Sequence, residues 1–142
     1  MHKKLLLLFV FCLSVCASGP AKDGIPHIVK RLNLYNQTGA IGPITLYTPK
    51  HSGMFRVSTV MLLTVANKAQ GFFASSVGFT DKLGAGILFG ESSWLYTETK
   101  GGAISGTIPV LDEGGQPLTL SVVADQEWQG AQYNIYVVLE EL

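Results

Sequence analysis

The side chains that could do chemistry are few in this chain and widely spaced. His27 and His51 both stand beside turn residues, and neither has a second histidine or a cysteine at metal-ligand spacing. A cupin-like centre would need a histidine pair with a carboxylate, so the sequence predicts no such site. Serines are numerous, but none lies in the Gly-x-Ser-x-Gly motif of a nucleophile elbow. We therefore expect a non-enzymatic protein without a cofactor, with a hydrolase as a distant alternative.

Acidic side chains are densest at Asp112, Glu113, Asp125 and Glu127. Loop carboxylates of this kind can bind calcium in a β-sandwich, so a calcium site is one interpretation. The other is that each pair belongs to a turn, since Gly114 and neighbouring residues supply the conformations that tight turns need. The second interpretation explains these residues without a ligand, and the sequence predicts no metal site here.

Three aromatic residues could form a binding surface. Trp94 and Tyr96 share one face of a predicted strand, and Trp128 lies in a loop between Glu127 and Gln129. Exposed aromatic rings can stack on sugar rings or insert into a protein interface. The alternative is that they pack at the rim of the fold and close its ends. Both interpretations stay open at this point.

The N-terminal residues have the pattern of a secretory signal. Lys3 and Lys4 precede an uncharged apolar run at 5–15, which is too short to span a bilayer, and a cleavage site follows at 15–17. We expect a signal helix at 1–17, a flexible lead at 18–27 and one domain at 28–142, secreted or at the cell surface, extracellular or periplasmic. Lipid attachment at Cys16 is an alternative, and cleavage after residue 17 would remove both cysteines of the chain.

Charge excludes one class of partner. The whole chain has ten basic and ten acidic residues, and the part after residue 17 has eight and ten. No basic stripe is present, so nucleic acid is not an expected partner. Only 14% of residues are charged while 16 are glycines, which is typical of short strands joined by tight turns.

Alternation of apolar and polar residues predicts eight strands separated by turn signals. They span 28–35, 41–47, 55–65, 72–80, 87–96, 103–110, 118–124 and 133–139. Pro43 cannot donate a ladder hydrogen bond, so it predicts an edge strand or a bulge at 41–47. The fold class is all-β, a two-sheet antiparallel sandwich, jelly-roll-like, with helix nearly absent outside the leader. An immunoglobulin-like sandwich is second, because its paired cysteines and central tryptophan are missing.

The alternation also predicts which side chains enter the core. They are Phe55, Val57, Met61, Leu63, Val65, Phe73, Val77, Phe79, Ile104, Ile108, Val110, Leu118, Leu120, Val122, Ala124, Tyr133, Ile135, Val137 and Leu139. The opposite face of 55–65 becomes apolar at Val60 and Leu62, and Tyr136 and Val138 face outward from the last strand. Because a large exposed apolar face is unusual in a monomer, these four residues predict an oligomer interface.

One stretch resembles a known family. Pro49, a short polar link, Gly53, Phe55 and Val57, together with a closing strand at 133–139, resemble the C1q and tumour-necrosis-factor-like jelly rolls. Similar short chains occur among bacterial secreted and phage-associated proteins of unassigned role. The resemblance implies a compact homotrimer that packs through sheet faces and binds ligands through loops. This chain lacks the collagen-like Gly-x-y stalk of C1q-type proteins.

Together these features predict a secreted or cell-surface β-sandwich for assembly or recognition, as a homotrimer. A carbohydrate-binding module that uses Trp94, Tyr96 and Trp128 is the alternative. The position of the aromatic residues separates the two: three coplanar exposed rings favour sugar binding, and one exposed patch around Val60 favours assembly.

Overall fold

The computed structural model describes residues 25–142, without the side chains of residues 91–93. The predicted signal helix, the cysteines and the alternative of lipid attachment lie outside the described residues. Of the predicted lead, residues 25–27 are described, and His27 already begins the first strand. The described residues contain no helix, and hence none long and apolar enough to cross a membrane.

Eight strands form the fold, as the alternation predicts. They are β1 (His27–Gln37), β2 (Ile41–Tyr47), β3 (Gly53–Val65), β4 (Phe72–Asp81), β5 (Gly84–Tyr96), β6 (Ala103–Asp112), β7 (Leu118–Ala124) and β8 (Gln132–Glu141). The predicted bounds of β2 and β7 are confirmed at both ends, and the other strands are longer by one to three residues at one or both ends. Most of these extensions lie next to a loop and include polar residues or glycine, which hide the alternation.

The strands pair in a nested order that produces two sheets. β4 pairs with β5, β3 with β6, β2 with β7 and β1 with β8, all antiparallel, as if one long hairpin were folded over. Sheet A has the order β1-β8-β3-β6 and sheet B the order β2-β7-β4-β5. This strand order is that of a jelly roll, so the predicted fold class is confirmed.

The core lies between the sheets and contains the predicted inward rows of β3, β4, β6, β7 and β8. Its largest fully buried side chains include Tyr133, Phe55, Phe73 and Met61. Thr59, which interrupts the apolar row of β3, is also buried, and its Oγ1 lies 3.4 Å from Oγ of Ser75 in β4. A buried hydroxyl without a partner would be costly, so this pair lets a polar residue remain between the sheets.

One predicted core residue is wrong. Val65, at the end of β3, is 41% exposed, although it continues the odd-numbered row of that strand. The pairing of β3 with β8 shifts register between Leu63 and Val65. A register shift breaks the two-residue period, so Val65, although still paired with Gln132 of β8, no longer continues the buried row.

β2 has the position that Pro43 predicts. It is the edge strand of sheet B, and its pairing with β7 is irregular between Ile41 and Ile44, around Pro43.

The turn before β2 depends on a glycine. Gly39 has φ of 72°, and a Cβ there would come within 2.9 Å of the Trp128 ring. Both the backbone conformation and the close approach therefore require glycine at this turn.

Candidate functional site

The outer side of sheet A carries the four residues predicted as an oligomer interface. Val60 in β3 is directly opposite Tyr136 in β8, and the neighbouring rung pairs Ser58 with Val138. Val60 is 43% exposed, and Tyr136, Val138 and Leu62 are half-buried. The structure therefore brings these four residues together into one surface, which we call the sheet A patch (Val60, Leu62, Tyr136 and Val138).

Aromatic and charged side chains border the sheet A patch. The ring of Tyr35 in β1 meets Tyr136 edge to face, with centroids 5.8 Å apart. At the other end, Nε of Arg56 donates a hydrogen bond of 2.7 Å to Oε2 of Glu140. This bond lowers the pKa of Glu140 and raises that of Arg56, because it favours the charged form of each. An apolar centre with a polar rim is the usual composition of a protein interface.

The outer side of sheet B carries a second aromatic group. Trp94 and Tyr96 are both exposed there, on the one strand face that the sequence predicts they share. Phe72 lies 4.5 Å from Trp94 between ring centroids, and Phe89 is stacked on Trp94 at 6.4 Å with an interplanar angle of 22°. Trp94 is thus the centre of a row of aromatic rings rather than one of a pair.

Trp128 does not join this row. Its ring is half-buried and packs against Phe73, an inward residue of sheet B, and against Gly39. It closes the end of the sandwich beside Tyr133, whose hydroxyl donates to the Gly39 carbonyl at 3.0 Å. Burial raises the pKa of Tyr133 far above its usual range, because the ionised phenol would lose its hydration.

Sequence reasoning missed Phe89 as a partner of Trp94, and the cause is a bulge. The five positions from Phe89 to Trp94 would place the two side chains on opposite faces of a regular strand. Along β4, however, the matching positions Ser76 and Ala74 are only two residues apart. Three extra residues in β5 therefore return Trp94 to the face of Phe89. Glycine at position 90 was the one available signal, since isolated glycines in strands mark such irregularities.

The carboxylates of Asp112 and Asp125 accept backbone hydrogen bonds in and beside turns. Asp112 is fully buried, and its carboxylate accepts hydrogen bonds from the backbone N–H groups of Thr80 and Gly114. Oδ1 of Asp125 accepts the N–H of Glu127 at 3.1 Å. Within residues 25–142, no group of three or more histidine, cysteine, aspartate or glutamate residues is placed to hold a metal ion.

The two histidines belong neither to the sheet A patch nor to the aromatic row around Trp94. Nε2 of His27 is 3.2 Å from Oε2 of Glu141 at the start of β1, and His51 lies in the loop before β3. Two clefts of the described surface could hold a ligand, and the first is lined in part by Phe89 of the aromatic row. One, of about 480 Å³, is lined by Leu88, Phe89, Gly90 and residues 105–109, all uncharged. The other, of about 460 Å³, is formed by Asn67, Lys68, Ala69, Gln126, Glu127 and Gln129. Neither cleft contains a histidine or a pair of carboxylates for acid–base chemistry.

Comparison with known proteins adds little to this description. No family model matches the sequence, and the search of curated proteins found no match. Among solved structures, the chain is similar to one described as the structure of infectious bursal disease virus Gt strain, with 11% identity and a TM-score of 0.27. The match covers 96% of this chain and 45% of that chain, so this chain spans less than half of the structure it matches. The fold is therefore assigned from the strand order described above.

Proposed function

We propose that this protein is a secreted or cell-surface, non-enzymatic β-sandwich whose role is assembly, as a homo-oligomer that packs through the sheet A patch. The observation that supports this most is the position of Val60 opposite Tyr136 on an outer sheet face, with Leu62 and Val138 beside them. An apolar group on an outer sheet face gains free energy when another surface covers it: full burial of an exposed valine or leucine contributes about 1.5 to 3 kcal/mol, and these partly buried side chains contribute less.

The proposed number of subunits is three. It rests on the resemblance of Pro49, Gly53, Phe55 and Val57 to C1q and tumour-necrosis-factor-like jelly rolls. The jelly-roll strand order agrees with that resemblance but does not determine how copies assemble. A trimer would be a closed ring in which each subunit uses two different surfaces, one of them the sheet A patch.

Carbohydrate binding has less support. That alternative uses Trp94, Tyr96 and Trp128 as one stacking platform, and Trp128 packs on the core side of sheet B beside Phe73. Trp94 and Tyr96 do share an exposed face. A sugar-binding protein could use two rings, so binding of an oligosaccharide remains an outcome to be tested below.

The test is a Val60→Glu substitution with the mass of the purified mature protein measured by light scattering over a wide range of concentration. We expect three subunits, or a multiple of three, for the unsubstituted protein and a smaller particle for V60E, because a glutamate in the sheet A patch would be buried without a partner. The free energy of unfolding of V60E should change little, since Val60 is 43% exposed within one subunit.

Leu83→Glu is the matched control. Leu83 is 97% exposed at the β4–β5 turn, and its replacement adds the same charge outside both sheet faces. L83E should keep the mass of the unsubstituted protein. A monomer at all concentrations before any substitution would contradict the proposal, and so would V60E with an unchanged mass.

A further inference from the structure

The outer face of sheet B has no charged side chain among its described strand positions. We call the following outward residues the sheet B face: Phe72, Ala74, Ser76, Gly78, Thr80, Ala85, Ile87, Phe89, Trp94, Tyr96, Thr119, Ser121 and Val123. The outer face of sheet A, by contrast, carries Arg31, Arg56 and Glu140. Charged residues are depleted at the centre of protein interfaces and aromatic residues are enriched there. The sheet B face has both properties.

Five apolar side chains of this face are exposed and adjacent, while Ala74 is buried between two of them. Ile87, Phe89, Trp94, Tyr96 and Val123 are between 39% and 68% exposed. Ala74 lies between two of them, paired with Val123 on β7 and with Trp94 on β5. The exposed side chains thus form one group across β7, β4 and β5 rather than scattered single residues.

The exposed area is sufficient for an interface between two copies. Aromatic side chains bury 150–250 Å² each, and Ile87 and Val123 are smaller, so five such side chains that are about half exposed present on the order of 500 Å². Two such faces in contact would remove on the order of 1,000 Å² of apolar surface from water, which is about the lower limit for a specific interface. One subunit alone would keep this area exposed, at the upper end of what monomers show.

The absence of charge also indicates which partner fits. In a twofold contact the same surface meets itself, so any charged residue near the axis would face its own copy and repel it. The described side chains of the sheet B face, which exclude those of residues 91–93, carry no charge and so have no such repulsion. From the charge, the area and the continuity of this surface we infer that the sheet B face packs against the sheet B face of a second copy, about a twofold axis.

This contact is separate from the sheet A patch, because the two surfaces lie on opposite sides of the sandwich. It therefore does not depend on the proposed function. Where both contacts form, a three-subunit ring closed through the sheet A patch would pair with a second ring through the sheet B faces, which gives six subunits.

The test uses V60E protein, in which contacts through the sheet A patch are removed. Light scattering should give a dimer for V60E at high concentration. Adding Val123→Glu on β7 or Ile87→Glu on β5 should halve that mass, since each places a charge on one side of the face. V60E with Leu83→Glu is the control and should stay dimeric. Far-ultraviolet circular dichroism of each variant shows whether it is folded, and Ile87, which is 68% exposed, is the position where folding is least affected.

Two results would overturn the inference. One is a V60E protein that is monomeric at every concentration; the other is a dimer that I87E and V123E leave intact. A monomer whose Trp94 fluorescence shifts on addition of cellohexaose would instead identify the face as a sugar platform. Failure of the proposed function has a different result. If only the sheet B contact forms, V60E has the mass of the unsubstituted protein, while V123E alone lowers that mass.

Discussion

At the scale of single residues, the ion pair between Arg56 and Glu140 links β3 to the end of β8. The two are cross-strand neighbours, and the hydrogen bond of 2.7 Å between them lies at the rim of the sheet A patch. Both side chains are partly exposed, so solvent and salt weaken their attraction. The pair is consequently better suited to fixing the orientation of the β8 end than to supplying stability.

The pair predicts a pH dependence with a definite sign. Because the folded state lowers the pKa of Glu140, its stabilising effect is present above the unfolded value of about 4.3 and is lost as the pH falls through the lower folded value. Between about pH 6 and pH 3, the melting temperature of the unsubstituted protein should therefore fall more than that of Glu140→Gln. Thermal unfolding monitored by circular dichroism checks this. Identical changes in the two proteins would show that the pair is not formed in solution.

At the scale of strands, β8 shows how alternation divides one element between core and surface. Tyr133, Ile135, Val137 and Leu139 are fully buried, while the residues between them face outward beside β1 and β3. The period of two was sufficient to predict this division. It failed where strands are irregular, at the register shift before Val65 and at the bulge between Phe89 and Trp94. Such shifts arise from how a strand fits its neighbours, which no local pattern records.

The two tyrosines of β8 give a matched prediction. Tyr133→Phe removes the buried hydroxyl that donates to the Gly39 carbonyl, leaving that acceptor without its partner. We expect the free energy of unfolding to fall by about 1 to 3 kcal/mol. In V60E protein, where contacts through the sheet A patch are removed, Tyr136→Phe loses only a long hydrogen bond from Asn134 (3.4 Å) and should change this free energy by less than about 0.5 kcal/mol. Urea unfolding measures both values, and equal effects would contradict the assigned role of the Tyr133 hydroxyl.

At the scale of the whole molecule, the nested strand pairs make nearly every contact distant in sequence. The first strand pairs with the last, and the N–H of Asn36 donates to Oδ1 of Asn134 across 98 residues of chain. Within residues 25–142, the β4–β5 turn alone is a local connection between paired strands. Closing such long loops must precede the contacts that stabilise them, so topology limits how fast this chain folds.

Folding should therefore take on the order of milliseconds to seconds. Stopped-flow refolding of V60E at low concentration, monitored by tryptophan fluorescence, measures the rate without assembly steps. Trp128 should report core formation, because it packs against Phe73 and Gly39. Folding within microseconds would contradict the prediction and would require a nucleus of local contacts that the strand order does not provide.

The sequence alone determined the class of the fold, the eight strands and nearly all of the core, because alternation and turn residues are local properties. It also placed Val60, Leu62, Tyr136 and Val138 on outward faces. Only the tertiary structure decided which surfaces these residues share. It joined Val60 to Tyr136 across two strands distant in sequence, separated Trp128 from Trp94, and brought Phe72, Phe89 and Trp94 together through a bulge. The physical reason is that a surface consists of residues from different strands, and strand order and register set their positions.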